Sequence, residues 1–281
     1  PINGATSWFI IGSFSIQPAE FAKIFVMLTL ALVISKVQEK GKDEISKPLK
    51  LMLCLLVVAI PVILIVKQPD YGTAIAFIVA TVFVLLVSGI DKKYIIISII
   101  LAVVILPLLY KFILPEHAKT RIDVFLNPNL DPRGSGYNII QSKLAIGSGQ
   151  LFGMGVTQGN QTQLGYLYPK TTDFIFSVIG EEMGFVVAGL VIVLYVVLIT
   201  KIIFIAKTAK DDKGAYIAMG IAGVFVFHMV ENIGMTMGLL PITGVPLPFV
   251  SYGGSSLLTN LILIGLVLNV SGRRKKSLFV E

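Results

Sequence analysis

Charge is what this sequence has least of. Lys, Arg, Asp and Glu make up 14% of its 281 residues and hydrophobic residues 55%, whereas a soluble domain carries about a quarter charged residues. With a mean hydropathy of +0.87, the chain is not a soluble globular domain; its composition belongs in a membrane. Cysteine occurs once, as Cys54 within an apolar run, so neither a disulfide framework nor a cysteine metal site can be built. The two histidines, His117 and His228, have no partner at metal-ligand spacing. The first residues lack the charged, apolar and small-residue regions of a signal peptide. The chain opens on Pro1 rather than Met, and we expect its natural N-terminus to lie further upstream. Internal repeats, low-complexity tracts and the paired interrupted helices of transporters are absent from the pattern. A net charge of +7 raises nucleic acid as a partner, but the positions of the cations argue against it.

Apolar runs long enough to span a bilayer core of about 30 Å, roughly 17 to 25 residues each, occur seven times. They cover approximately 17–35, 51–67, 72–90, 94–114, 174–200, 215–240 and 255–271. The expected fold is therefore all-α, a polytopic membrane helical bundle of about seven transmembrane helices forming one domain over 1–281. One set of connections holds Lys36, Lys40, Lys42, Lys47 and Lys50, then Lys92 and Lys93, then Lys201, Lys207, Lys210 and Lys213, then Arg273, Arg274, Lys275 and Lys276. That is 15 cations against 7 on the opposite side, with Lys23 inside a span. By the positive-inside rule the first residues face outward and the C-terminus faces the cytoplasm. The cations are thus topology anchors beside membrane lipids, and no nucleic acid partner is expected.

The outer side carries residues 115–173, a connection far longer than usual, and such loops on a membrane scaffold tend to carry function. Asn127-Pro128 and Asp131-Pro132-Arg133-Gly134 read as turns, and Tyr137 to Ile146 reads as a short interfacial helix. Glycines 147, 149, 153, 155 and 159 read as a flexible stretch.

Several residues in this frame can carry chemistry. Glu20 and Lys23 lie three apart on one helical face and can neutralise each other. Because charges in a span cost about 2.5–3.5 kcal/mol each, they either line a site or form a structural ion pair. Asp70, in an outer hairpin, either caps the following helix or points into an outward cavity. Asp173 stands where the long outer loop enters a span; there it is either a first-turn carboxylate favoured by the helix dipole or a general base. Glu181 and Glu182 lie two turns farther in, and at least one must face protein or water. Lys119, Arg121, Arg133 and Lys143 are suited to binding an anionic head group. The segment Gly238 to Ser256, with three prolines and four glycines, cannot be a continuous helix. Irregular backbone at membrane depth is buried in protein or lines a cavity, which makes this segment, with Ser251, a candidate wall for binding substrate.

Taken together, these pieces resemble the SEDS family of RodA, FtsW and SpoVE proteins, and its RodA branch most. The resemblance rests on Gly4-Ala5 with Trp8 and Gly12, Gln17-Pro18-Ala19-Glu20 with Lys23, and Gln68-Pro69-Asp70 with Gly72-Thr73. It continues through Asn127-Pro128, Asp131-Pro132, Gly134, Gly136-Tyr137-Asn138 and Gln141-Ser142-Lys143, then Ala145 to Gly149. Thr172-Asp173-Phe174-Ile175-Phe176, Gly180-Glu181-Glu182 and Leu239 to Ser256 complete it, in family order over nearly the whole chain. Gln158 to Leu164 is the RodA-like stretch. Two departures stand out: Ser7 replaces an Arg common before the Trp, and Tyr168-Pro169-Lys170-Thr171 replaces the usual Pro-Glu-x-His before Thr-Asp.

The resemblance implies ten spans in the whole family member, three of them absent here, and a multi-pass protein of the bacterial cell membrane with residues 115–173 extracytoplasmic. It implies a peptidoglycan glycosyltransferase that polymerises lipid II for cell elongation and shape, inverting the donor sugar and releasing undecaprenyl pyrophosphate. Asp173 would be the catalytic base. Arg121 and Lys143 would hold pyrophosphate, with a divalent cation such as Mg or Mn as a further candidate and no organic cofactor. Glu20, Lys23, Asp70 and Ser251 would bind substrate. The implied partner is a class B penicillin-binding protein transpeptidase. A lipid II flippase and a non-catalytic scaffold for the transpeptidase are the competing classes.

Overall fold

The computed structural model describes residues 7–11, 14–112, 114–131 and 134–274. Gly4, Ala5, Gly12, Pro132, Arg133, Lys275 and Lys276 lie outside them. The element order begins with a short antiparallel hairpin, β1 (Phe9–Ile11) and β2 (Phe14–Ile16), in which Phe9 pairs with Ile16. Helices follow as α1 (Pro18–Val37), α2 (Pro48–Val66), α3 (Tyr71–Val87), α4 (Lys92–Phe112), α5 (Glu116–Leu126), α6 (Ser135–Ser148), α7 (Asn160–Gln163), α8 (Ile175–Lys207), α9 (Asp212–Thr236) and α10 (Gly254–Gly272). Each of the seven expected spans is occupied by a helix. Five of them, α2, α4, α8, α9 and α10, are long and apolar enough to cross a membrane. Of the other two, α3 is 17 residues long and α1 runs 20 residues with Glu20, Lys23 and Lys36 in it. The hairpin is not foreseen by hydropathy, because its strands are three residues each.

The chain divides into two compact units, the first comprising Pro1–Asp91, Val196–Phe227 and Gly253–Glu281, the second Lys92–Tyr195 and His228–Tyr252. In the first unit the core is a continuous cluster of Leu30, Ala31, Ile34, Ile45, Cys54, Val58, Phe77, Val84 and Tyr216. Cys54 is fully buried there, acting as a small hydrophobe. The opposite face of α2 leaves Leu49, Met52, Leu56, Ile60 and Leu64 exposed, as a lipid-facing surface requires. Helix starts are set by Pro18 and Pro48 in the first turn, where a missing N–H costs nothing. Small residues bring α9 against its neighbours: a Cβ on Gly223 would sit 2.8 Å from Ala80 Cα, and one on Gly220 2.6 Å from Met27 Sδ. The connection from α1 to α2 is tied by Gln38, which donates to Lys42 O at 3.0 Å and Ser88 O at 2.7 Å and accepts from the Tyr216 hydroxyl. Glu44 receives Lys47 at 2.6 Å and also Lys50. Those two ammonium groups hold its carboxyl down at about 2.

In the second unit the long connection is largely helical. Tyr137 to Ile146, expected as a short helix, falls inside α6. The glycine stretch after it is not a flexible linker. A Cβ on Gly149 would lie 1.8 Å from Gly180 O, and one on Gly153 2.2 Å from Glu182 O, so these residues are glycine because backbone meets backbone there. The reason lies in α8, which is interrupted at Gly184 (φ 75°, ψ −174°). Residues 150–155 fill the break. Phe185 N donates to Gln150 O at 2.8 Å and Val186 N to Leu151 O at 3.2 Å, while Met154 N and Gly155 N donate to Glu181 O and Glu182 O at 2.9 and 3.0 Å. Together these four bonds satisfy the two donors and two acceptors that an unbroken helix would have paired with each other.

This packing predicts a contrast between two alanine substitutions. Gly149→Ala, in ordinary helical backbone but against Gly180 O, is expected to cost about 1–3 kcal/mol or more through overpacking, seen as a lowered Tm in detergent. Gly189→Ala in α8 meets nothing within 4 Å and should leave the Tm unchanged or raise it.

Candidate active site

Residues 171–173 run irregularly into α8, and three consecutive carbonyls there are each captured by protein. Tyr252 N donates to Thr171 O at 2.9 Å, Ser251 Oγ to Thr172 O at 2.7 Å, and Asn232 Nδ2 to Asp173 O at 2.9 Å. The capturing segment, 239–252, is non-helical and is itself held by side chains. Asn232 Nδ2 also donates to Val245 O at 2.9 Å, His228 Nδ1 to Pro246 O at 2.9 Å, and the Tyr195 hydroxyl to Pro248 O. Thr243 Oγ1 donates to Glu231 Oε1 at 2.7 Å. The Asp173 side chain emerges partly exposed from this fixed backbone. A Cβ at Gly244, whose φ is 75°, would stand 3.4 Å from its Oδ2.

Burial pushes the Asp173 carboxyl above its ordinary value, against the opposing pulls of a hydrogen bond with Thr172 and the charge of Arg121. The Arg121 guanidinium on α5 is therefore close enough for its field to reach the carboxylate. Lys143 on α6 is exposed, and its Nζ would be 2.6 Å from a Cβ on Gly238, so glycine at that position leaves the ammonium its room. Around them, Ser142 Oγ meets Ser177 Oγ and Thr236 O, both at 2.6 Å, fastening α6 to α8 and α9.

Ser251, expected to meet substrate, has its hydroxyl engaged twice within the protein, donating to Thr172 O and accepting from Leu247 N at 2.8 Å. Both bonds hold backbone. Glu181 and Glu182 are both buried. The Glu181 carboxylate accepts from Gln161 N, Thr162 N and Thr162 Oγ1 at the start of α7, at 2.7, 3.0 and 2.5 Å. Glu182 accepts from Gln163 Nε2 at 2.9 Å. Lys170, one of the unusual residues before Thr172-Asp173, donates to Thr162 O at 3.0 Å and so ties the same turn.

Glu20, Lys23 and Asp70 belong to the first unit. Glu20 Oε1 and Lys23 Nζ are 2.8 Å apart and only 2% and 1% exposed, and Glu20 Oε2 is buried without a hydrogen-bond partner. Asp70 caps α3: its Oδ1 accepts from Thr73 N at 3.1 Å and its Oδ2 from Thr73 Oγ1 at 2.9 Å and Gln17 Nε2 at 3.0 Å. Gln17 N in turn donates to Ser255 Oγ on α10, and Ser255 to Ser15 O, which fastens the hairpin. Nothing in the sequence marks Asn232, Glu231 or Tyr195 as site residues. An apolar-rich helix gives no hint of which polar residue turns inward, although an intramembrane Glu at 231 is itself an anomaly.

Among the described residues no three Asp, Glu, His or Cys side chains assemble in a way that could hold a metal ion. Asp173 stands near a guanidinium rather than a second carboxylate. A divalent cation held jointly with a substrate pyrophosphate would need only one or two carboxylates, of which Asp173 would be one.

A multi-pass helical membrane protein with a carboxylate held at a loop-to-helix junction is the class these features define, and sequence comparison places it further. The profile of the FtsW/RodA/SpoVE family, described as cell cycle proteins, matches residues 1–276, and the chain belongs to that family. It is 38% identical over 274 residues to the peptidoglycan glycosyltransferase MrdB of Escherichia coli K12, covering 97% of this chain and 72% of that protein. It is 40% identical over 271 residues to the stage V sporulation protein E of Bacillus subtilis 168, covering 96% and 72%. Among solved structures, a peptidoglycan synthase complex, described as coordinating polymerization and crosslinking, matches with a TM-score of 0.80 at 28% identity over 98% of this chain and 76% of that one. The rod shape determining protein RodA of Thermus thermophilus matches with a TM-score of 0.68 at 28% identity, over 98% and 72%.

The buried ion pair gives a direct prediction. Lys23→Met or Glu20→Gln alone leaves an uncompensated buried group and is expected to cost about 3–5 kcal/mol. The double variant should cost less than the sum, as measured by a double-mutant cycle on thermal or denaturant unfolding in detergent.

Proposed function

We propose that the chain polymerises lipid II into glycan strands at the outer face of the bacterial cell membrane, with Asp173 as general base. The single observation that carries this reading is the placement of the Asp173 carboxylate: its backbone is fixed by three captured carbonyls, its basicity is raised by burial, and a guanidinium stands near it. A general base for an alcohol gains from a pKa moved toward the working pH.

In the reaction, the sugar 4-hydroxyl of one lipid-linked disaccharide attacks C1 of another. Asp173 takes the hydroxyl proton as the new C–O bond forms, and the bond from C1 to the pyrophosphate oxygen breaks. The electron pair leaves on undecaprenyl pyrophosphate, and attack from the face opposite the leaving group turns an α-linked donor into a β-linked product. Arg121 and Lys143 supply positive charge for the departing pyrophosphate through charge-assisted hydrogen bonds. Asp70 and Ser251, whose oxygens already hold protein groups in place, would meet substrate only through their remaining acceptor capacity. Glu20 and Lys23 provide a neutral, buried polar pair in the wall of the first unit.

The distribution of cations supports an outward-facing 115–173 segment and a cytoplasmic C-terminus. A crosslinking transpeptidase of the class B penicillin-binding type is the proposed partner, in keeping with the solved synthase complex that this chain resembles.

The test is polymerisation of lipid II by full-length protein reconstituted with its partner. Asp173→Asn is expected to lower the rate by about a hundredfold to ten-thousandfold; a normal rate would remove Asp173 from the mechanism, and lipid movement without polymer would favour a flippase. The pH profile has a definite sign. A base works only when deprotonated, so activity falls as pH drops through a folded-state pKa lying above the ordinary carboxylate value. Arg121→Ala removes a lowering influence and should move that acid limb to still higher pH.

A further inference from the structure

If Asp173 is the base, something must fix the direction of its carboxylate, because its stretch of chain is neither helix nor strand. We propose that Asn232 is a positioning residue for Asp173, its amide clamping the main chain on both sides of the carboxylate while the Ser251 hydroxyl clamps the residue before it. The inference rests on the reading of Asp173 just given.

Asn232 is fully buried on α9, and both donors of its one amide nitrogen are spent on main-chain carbonyls, Asp173 O and Val245 O, each at 2.9 Å. Val245 follows Gly244, the residue that stands against Asp173 Oδ2. One side chain therefore sets the spacing between the segment that carries the carboxylate and the segment that faces it. Asn232 Oδ1 is buried with no hydrogen-bond partner. Leaving a buried acceptor unmade is costly, and such groups in a native structure call for an explanation. Here the explanation is geometric: an amide is the shortest side chain with two donors on one atom, and the orphaned oxygen comes with it. Ser251 adds the third hold, from its hydroxyl to Thr172 O.

Other polar groups near the clamp are accounted for. Arg121 on α5 is the charged side chain whose field reaches Asp173. On α9, Glu231 accepts from Thr243 and His228 donates to Pro246 O. From the 239–252 segment, which carries no ionisable side chain other than Tyr252, the group facing the carboxylate is Gly244.

Full-length protein with its partner, carrying Asn232→Ala, Ser251→Ala or Asp173→Asn, should be compared for kcat, KM for lipid II and the pH profile, each per folded molecule by thermal unfolding. Misplacing a reacting group by about 1 Å can cost a hundredfold. Asn232→Ala is accordingly expected to lower kcat about tenfold to a hundredfold with KM little changed, and to move the acid limb down toward the ordinary carboxylate range as water reaches Asp173. Ser251→Ala should do the same more weakly. A merely structural role would reduce the yield of folded protein and leave both kcat per folded molecule and the acid limb where they were, and that result overturns the inference. So does a change confined to KM. Should Asn232→Ala fail to fold, the same two readouts on Ser251→Ala decide, an unmoved limb counting against the clamp. Asp173→Asn keeps the two readings apart: an inactive Asp173→Asn beside normal Asn232→Ala sinks the positioning role alone, whereas an active Asp173→Asn sinks the base.

Discussion

Backbone that leaves a helix inside a membrane protein has no water to bond with, so its N–H and C=O groups must be met by protein. The second unit faces this constraint twice. At Gly184 the interruption of α8 frees two donors and two acceptors, and residues 150–155 take up all four. In the 239–252 segment three carbonyls are met by Asn232, His228 and Tyr195. The segment passes the constraint on, because it uses its own Tyr252 N–H and Ser251 hydroxyl to capture the carbonyls before α8. The main chain at Asp173 is thus held by the same bonds that satisfy this segment.

The same accounting explains why polar residues sit where they do. An isolated charge within a span costs about 2.5–3.5 kcal/mol, yet Glu20, Lys23, Glu181, Glu182 and Glu231 are all buried. All five have visible compensation: Glu20 and Lys23 pair, Glu181 is met by the donors at the start of α7, Glu182 by Gln163 and Glu231 by the Thr243 hydroxyl. Asp173 differs in being partly exposed, with a cation close enough to act on it but no salt bridge consuming its oxygens. A carboxylate that is fixed, basic and still accessible is what abstraction of an alcohol proton requires.

Much of this architecture is written in local signals. Mean hydropathy over about 20 residues locates the seven apolar helices α1–α4 and α8–α10, Pro18 and Pro48 mark two starts, and Asp70 beside Thr73 is readable as a cap. Asp173 stands out as a carboxylate at a loop-to-span junction. What could not be read depends on contacts distant in sequence. The break at Gly184 is a single backbone angle just after Glu181 and Glu182, in a stretch whose average hydropathy still reads as one span. Glycines 149 and 153 look the same in sequence whether they loosen a linker or let backbones touch, and only the carbonyls of Gly180 and Glu182 distinguish the cases. The irregularity of its segment marks Ser251 as a candidate ligand, but nothing local shows that its hydroxyl also closes a turn and holds Thr172. Asn232 gave no signal because its partners lie 59 and 13 residues away.

A structure of the full-length protein with a lipid II analogue in the acceptor position would show which group approaches the sugar 4-hydroxyl. The account predicts an Asp173 carboxylate oxygen within about 2.6–3.2 Å of that hydroxyl, directly or through one water, with Arg121 on the pyrophosphate side. An acceptor hydroxyl bonded to a different carboxylate, with Asp173 turned into protein or facing the cytoplasm, would contradict it.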